Sequence, residues 1–138
     1  MNDILYTNDL PDREEYYALF LTTGWNEKYN LTEKQVYESI KNSYYIVSAY
    51  VKNKLVGFGR IVSDGVMHAL IVDMIVDPEF QRMGIGNAIL NDLVGVCRRK
   101  GIPDIQLFCA DGKENFYLKN GFKARPVTAP GMEYVNNE

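Results

Sequence analysis

At 138 residues, with 46% apolar and 24% charged side chains, the chain has the make-up of one globular domain that needs neither disulfides nor a metal to build a core. Its formal charge of −3 excludes the basic excess expected of a nucleic-acid binder and suits a cationic small substrate better than an anionic one. One histidine and two cysteines, Cys97 and Cys109, offer no metal-site spacing, and the thiols read as buried, reduced and inert.

In chain order, residues 3–7 predict a short first strand. Residues 12–22 predict a helix, with Asp12 as cap and Glu15 three residues on. A loop over 22–26 carries the only tryptophan, Trp25. A second helix begins at Thr32, where Gln35 completes a capping box. Residues 44–51 and 55–62 are β-branched and aromatic runs around a Lys-Asn-Lys turn, which predicts a hairpin. A second turn at 63–65 leads into a long strand over 66–76. The next helix spans about 84–100, with Ile85, Ala88, Ile89, Leu93, Val96 and Cys97 forming its apolar stripe. A strand over 104–109 follows, then a short helix over 112–120 and two closing strands near 122–125 and 131–135. The order is β-α-α-β-β-β-α-β-α-β-β, a mixed α/β (α+β) sheet of six to seven strands flanked by about four helices.

The N-terminal residues include Asp3 and Asp9 and show no basic-then-apolar leader, so the cytoplasm is the expected location. The longest apolar run, 69–76, is broken by Asp73 and is too short to cross a membrane. No repeat or linker divides the sequence, so residues 1–138 are expected to form one domain.

The most informative stretch is 76–90. An apolar strand ends, Pro78 turns the chain, and Gln81-Arg82-Met83-Gly84-Ile85-Gly86 opens into a helix. Two glycines there let backbone N–H groups converge at a helix start, where the dipole favours negative charge. Such a loop cradles a phosphate or diphosphate. A P-loop would continue Gly-Lys-Ser/Thr, whereas this helix continues Gly-Asn-Ala. A dinucleotide fingerprint needs three glycines in the first βα turn, and here two glycines sit mid-chain. The β-α-β unit formed by 66–76, 84–100 and 104–109 should be right-handed, with a ligand beyond the carboxyl ends of its strands, near 109–117.

With these features the sequence resembles the GCN5-related N-acetyltransferase (GNAT) superfamily. Gln81 to Gly86 matches its Gln/Arg-x-x-Gly-x-Gly/Ala acetyl-CoA signature, and Asn115-Phe116-Tyr117-Leu118-Lys119-Asn120-Gly121-Phe122 matches its aromatic pair before Gly-Phe. The resemblance covers residues 44–135 well and the first 43 in element order only. Within the superfamily the chain looks like compact single-domain members, bacterial ones and relatives of plastid serotonin N-acetyltransferases. It implies the GNAT fold and transfer of acetyl from acetyl-CoA to a primary amine by direct attack, with no metal. A small amine, arylalkylamine or polyamine-like, is the expected acceptor. A protein or peptide amine, or a non-catalytic acyl-CoA sensor, are the alternatives.

By resemblance, Tyr117 would protonate the departing thiolate; a half-buried core tyrosine is the alternative. The main chain of Ile75 and Val76 would meet the pantetheine arm and acyl carbonyl at a bulge. Gln81, Arg82, Met83, Gly84, Ile85, Gly86 and Asn87 would hold the diphosphate, and Asn115 is a further candidate. Many members carry asparagine seven residues before the tyrosine; here that position is Ala110, which should weaken cofactor binding.

Asp73 breaks a strand apolar on both faces, so it must be paired or hydrogen-bonded. It could accept the amine proton, anchor the ammonium, or be structural. Trp25 could line the amine pocket or simply pack, and His68 reads as structural. Exposed aromatics and the closing strands are compatible with a homodimer.

Overall fold

The computed structural model describes residues 3–135. Its elements are β1 (Ile4–Thr7), α1 (Arg13–Leu21), α2 (Asn26–Tyr29), α3 (Glu33–Lys41), β2 (Tyr45–Val51), β3 (Lys54–Ser63), β4 (His68–Val76), a 3-10 turn (Pro78–Phe80), α4 (Ile85–Arg99), β5 (Asp104–Leu107) and α5 (Glu114–Lys119). The strands form one sheet in the order β1-β2-β3-β4-β5. All pairs are antiparallel except β4 and β5, which run parallel around α4.

Local chemistry accounts for the element ends. The Asp12 carboxylate accepts from the N–H groups of Glu14 and Glu15 and starts α1. Glu15 makes no reciprocal capping contact; its carboxylate accepts from the N–H of Leu55 on β3 instead. Thr32 and Gln35 form the full capping box at α3. Lys52 and Asn53 both take positive φ, 49° and 66°, which gives the β2–β3 hairpin a turn with the twist its strands need.

Helices cover both faces of the sheet. On one face α4 buries Ile85, Ile89, Leu90, Leu93, Val96 and Cys97. Leu90 therefore belongs to the buried stripe, and Ala88 is only half-buried. On the other face Tyr16, Leu19 and Phe20 of α1 and Val36 and Ile40 of α3 pack with Leu55, Phe58 and Ile75. Gly57 and Gly59 of β3 let α4 approach closely. A Cβ on Gly59 would lie 2.7 Å from Ile89 Cγ2, 2.9 Å from Met74 Sδ and 3.0 Å from Leu93 Cδ1. Gly59→Ala is accordingly expected to destabilise by about 1–3 kcal/mol through overpacking. Thermal unfolding checks this, and an unchanged melting temperature would contradict the close approach.

Two expectations need correction. The sheet has five strands among the described residues, not six to seven, because neither 122–125 nor 131–135 forms a ladder. Pro126 and Pro130 interrupt this stretch. Phe122 packs on Tyr117, but Val127, Met132 and Tyr134 are 96%, 86% and 90% exposed. The loop at 22–26 runs into an additional one-turn helix, α2, closed by Asn30 in the left-handed region, so the described residues form five α-helices rather than about four. The chain divides into two compact units after Leu107. The first carries the sheet and α1 to α4, the second α5 and the segment after it.

Candidate active site

In the first unit the site is built at the end of β4. Phe58 pairs with Ile75 and Arg60 with Val72, so the single residue Gly59 faces both Asp73 and Met74. This is a β-bulge, and Asp73 sits in it at φ 55°. A left-handed conformation at a non-glycine residue costs about 1–3 kcal/mol, and aspartate is among the side chains that tolerate it best. Pairing with β5 ends at Ile71↔Leu107, while β4 runs on to Val76. Ile75 and Val76 thus lie beyond the β5 ladder.

The chain then turns. Asp77 donates its N–H to the Val56 carbonyl at 2.8 Å, and its carboxylate accepts from the N–H of Glu79 at 2.9 Å. Gln81 folds back, its amide nitrogen donating to the Val76 carbonyl at 3.3 Å. Arg82 and Gly84 both take positive φ, 65° and 82°, and Gly84 forms the entry to α4. That helix start has no side-chain cap and no acidic residue in its first turn. The first N–H groups of a helix lack partners inside it, so those of Ile85, Gly86 and Asn87 are available to an anion. Among these residues the Ile85 side chain is buried, where it anchors the loop to the core, while Arg82, Met83 and Asn87 are exposed. An acidic group fits this N-terminus on charge, and the exposed Arg82 guanidinium adds to the fit.

Asp73 is paired. Its Oδ2 accepts from Arg60 Nε at 2.6 Å, and Arg60 Nη1 also donates to the Ser39 carbonyl at 3.1 Å and to Ser43 Oγ at 3.4 Å. Both charged side chains are mostly buried, at 12% and 22% exposure. Tyr16 of α1 feels the same pair: burial pushes its hydroxyl far above the ordinary tyrosine range, Asp73 adds to this and Arg60 opposes it. Tyr16 therefore stays protonated. Sequence reasoning missed both Arg60 and Tyr16. Part of the signal for Arg60 was present: it is the one charge in the apolar run 55–62, as Asp73 is in 66–76, but bringing the two together takes the register and bulge of the β3–β4 pair.

In the second unit Tyr117 lies in α5. Its ring is held edge-on by Phe116 and Phe122, with centroids 5.0 and 6.0 Å away. Burial, with Cys109 adding, raises its hydroxyl pKa. Asn115, two residues earlier, is exposed, as is Ala110. Cys97 is buried as expected, but Cys109 is exposed, because it lies beyond the end of β5 at Leu107. Elsewhere, Trp25 packs edge-to-face on Phe20 at 6.3 Å and remains partly exposed. His68 Nδ1 and Asp104 Oδ2 lie 2.6 Å apart at the start of the parallel strands, far along β4 from the bulge. No cluster that could hold a metal occurs among the described residues.

The family model described as "Acetyltransferase (GNAT) family" matches residues 10–122. The chain belongs to the GNAT family. Among curated proteins it is 37% identical over 115 residues to an uncharacterized N-acetyltransferase, ycf52, of Pyropia yezoensis, covering 80% of this chain and 64% of that one. It is 35% identical over 82 residues to serotonin N-acetyltransferase 2, chloroplastic, of Oryza sativa subsp. japonica, covering 59% of this chain and 41% of that one. The chain thus spans less than two thirds of either relative.

Solved GNAT-fold structures superpose on it closely. A probable acetyltransferase from Staphylococcus aureus gives a TM-score of 0.83 at 24% identity, covering 97% of this chain and all of the other. PaiA N-acetyltransferase of Thermoplasma acidophilum, solved with coenzyme A, gives 0.71 at 20% identity, covering 89% and 91%. The GNAT resemblance and the likeness to plastid N-acetyltransferases are borne out, as is the mixed α/β fold. No helix of the described residues is long and apolar enough to cross a membrane.

Proposed function

We propose that the protein is an acetyl-CoA-dependent N-acetyltransferase acting on a primary amine by direct attack in a ternary complex, the two units serving one catalytic domain. The observation that carries this is the bare N-terminus of α4, without cap or acidic residue, set just past the end of a bulged β4. The N–H groups of residues 85–87 with Arg82 would take the diphosphate, and the main chain of Ile75 and Val76 the pantetheine arm and acyl carbonyl. Gln81, Met83 and Gly84 shape that loop, and Asn115 supplies an exposed amide. The family membership and the coenzyme A complex of PaiA support the same reading.

Acetyl-CoA supplies an activated acyl carbon. The amine nitrogen bonds to that carbon, the carbon–sulfur bond breaks, the thiolate takes a proton from Tyr117, and the acylated nitrogen sheds its extra proton to solvent, from which Tyr117 is reprotonated. An alkylamine has a pKa of about 10.4, so it must first lose a proton. Arg60 already engages Asp73, which favours water as the acceptor of that proton. The acidic balance of the chain favours a small cationic amine as acceptor, with Trp25 at its pocket. Two unpaired thiols, Cys97 and Cys109, suit a reducing compartment, and the cytoplasm is assigned, with a plastid as the alternative that the rice relative's name raises.

Thiol release from acetyl-CoA over a panel of arylalkylamines, polyamines and lysine peptides tests this. Release with a small amine is expected. Thermal stabilisation by acetyl-CoA without release from any amine would instead favour a sensor domain.

A further inference from the structure

We propose that Arg60 is a positioning residue for acyl transfer: through Asp73 it holds the β4 bulge, and the bulge presents the backbone of Ile75 and Val76 to the thioester. This rests on the acyl-transfer reading above. The argument starts from strand alternation. Ile71 pairs opposite Ile61 and is buried, and Val72 pairs opposite Arg60 on the other face. An unbroken strand would turn Asp73 back to the Ile71 face, towards α4, where an apolar helix offers its carboxylate no partner.

The extra residue resets that phase. Asp73 instead reaches Arg60. Met74 then lies over Gly59 beside Ile89 and Leu93, and Ile75 joins Phe58 in the α1–α3 cluster. Without the bulge, Met74 and Ile75 would exchange faces, and the main chain at Ile75 and Val76 would present its other edge.

A positive φ at Asp73 has to be held by its surroundings. Arg60 supplies the hold. Its guanidinium is tied to the Ser39 carbonyl and the Ser43 hydroxyl at the end of α3, so the bulge is pinned to a helix rather than to another flexible side chain. Both partners are largely shielded from water, so the contact is weakly screened. The Asp73 carboxylate acts here by fixing backbone shape. Glycine adopts this φ without strain and without a partner, so it can replace that role.

The experiment uses the full chain, with the acetyl-CoA dissociation constant from calorimetry and kcat and KM with the best amine of the panel. Arg60→Met is expected to lower kcat and weaken acetyl-CoA binding, together by about tenfold to a hundredfold, the scale of a small misplacement of reacting groups. Arg60→Lys should lose less. Asp73→Gly should lose far less than Arg60→Met, and the double variant Arg60→Met/Asp73→Gly should recover to the level of Asp73→Gly.

If Asp73→Gly is as impaired as Arg60→Met and the double variant is not recovered, the carboxylate itself is required and the proposal fails. It also fails if Arg60→Met keeps wild-type kcat and affinity per folded molecule while only melting earlier. Should Arg60→Met show no cooperative unfolding, Arg60→Lys and Asp73→Gly decide by the same comparison. A wild-type protein that releases no thiol with any amine overturns the acyl-transfer reading alone, since the acetyl-CoA affinities of the series still test the hold on the bulge.

Discussion

Replacing Tyr117 with phenylalanine is expected to lower kcat by about two to four orders of magnitude, the range a positioned general acid contributes. The ring contacts with Phe116 and Phe122 survive the change, so the melting temperature and the affinity for acetyl-CoA should stay close to wild type. The hydroxyl is raised by burial and then by Cys109. The sign matters: a raised pKa leaves the hydroxyl more fully protonated than a free tyrosine at the same pH. The thiolate, whose parent thiol has a pKa of about 8.5, can therefore always find the proton at the pH where cells work. The kcat–pH profile of the wild type should accordingly rise as the amine loses its proton, and any fall assignable to Tyr117 should come at higher pH than for a free tyrosine. Unchanged kcat in the phenylalanine variant would return Tyr117 to a packing role. A fall in kcat matched by an equal loss of acetyl-CoA affinity would assign it to binding instead.

The parts of this site that were legible in the sequence are those written in local pattern. The helix after the glycines showed its 3.6-residue stripe, Thr32 and Gln35 showed their cap, and the short Lys-Asn-Lys turn between two β-branched and aromatic runs showed its hairpin. Asp73 could be singled out because a carboxylate in a strand apolar on both faces must have a partner. Its partner could not be named from the strand alone, since the bulge that aims it at Arg60 depends on register with β3, and register is a tertiary property. Glu15 illustrates the same limit. Local spacing made it half of a capping box, yet the N–H of Leu55, forty residues away, competes for its carboxylate and wins. Residues 122–125 and 131–135 read as short strands, but a strand exists only with a neighbour, and no ladder forms there.

Asn87→Asp separates the two things a helix start does. In the free protein it should raise stability by about 0.3–1 kcal/mol, because α4 has no acidic residue in its first turn and a carboxylate there meets the positive end of the dipole. Asn87 is exposed and the substitution is nearly isosteric, so no packing change opposes this gain. For acetyl-CoA the same charge works the other way. At about 6 Å from a phosphate, one unit charge repels another by roughly 0.7–3 kcal/mol as the effective dielectric falls from 80 to 20. An exposed site with two phosphates then predicts a loss of affinity of about tenfold to a hundredfold, shrinking as salt screens it. Calorimetric titration at two ionic strengths, beside thermal unfolding of the free protein, reads both effects from one variant. Stability rising while affinity falls would locate the diphosphate at this helix. If stability rises and affinity holds, the N–H groups of residues 85–87 grip no anion, and the glycines at 84 and 86 serve only to let the chain turn.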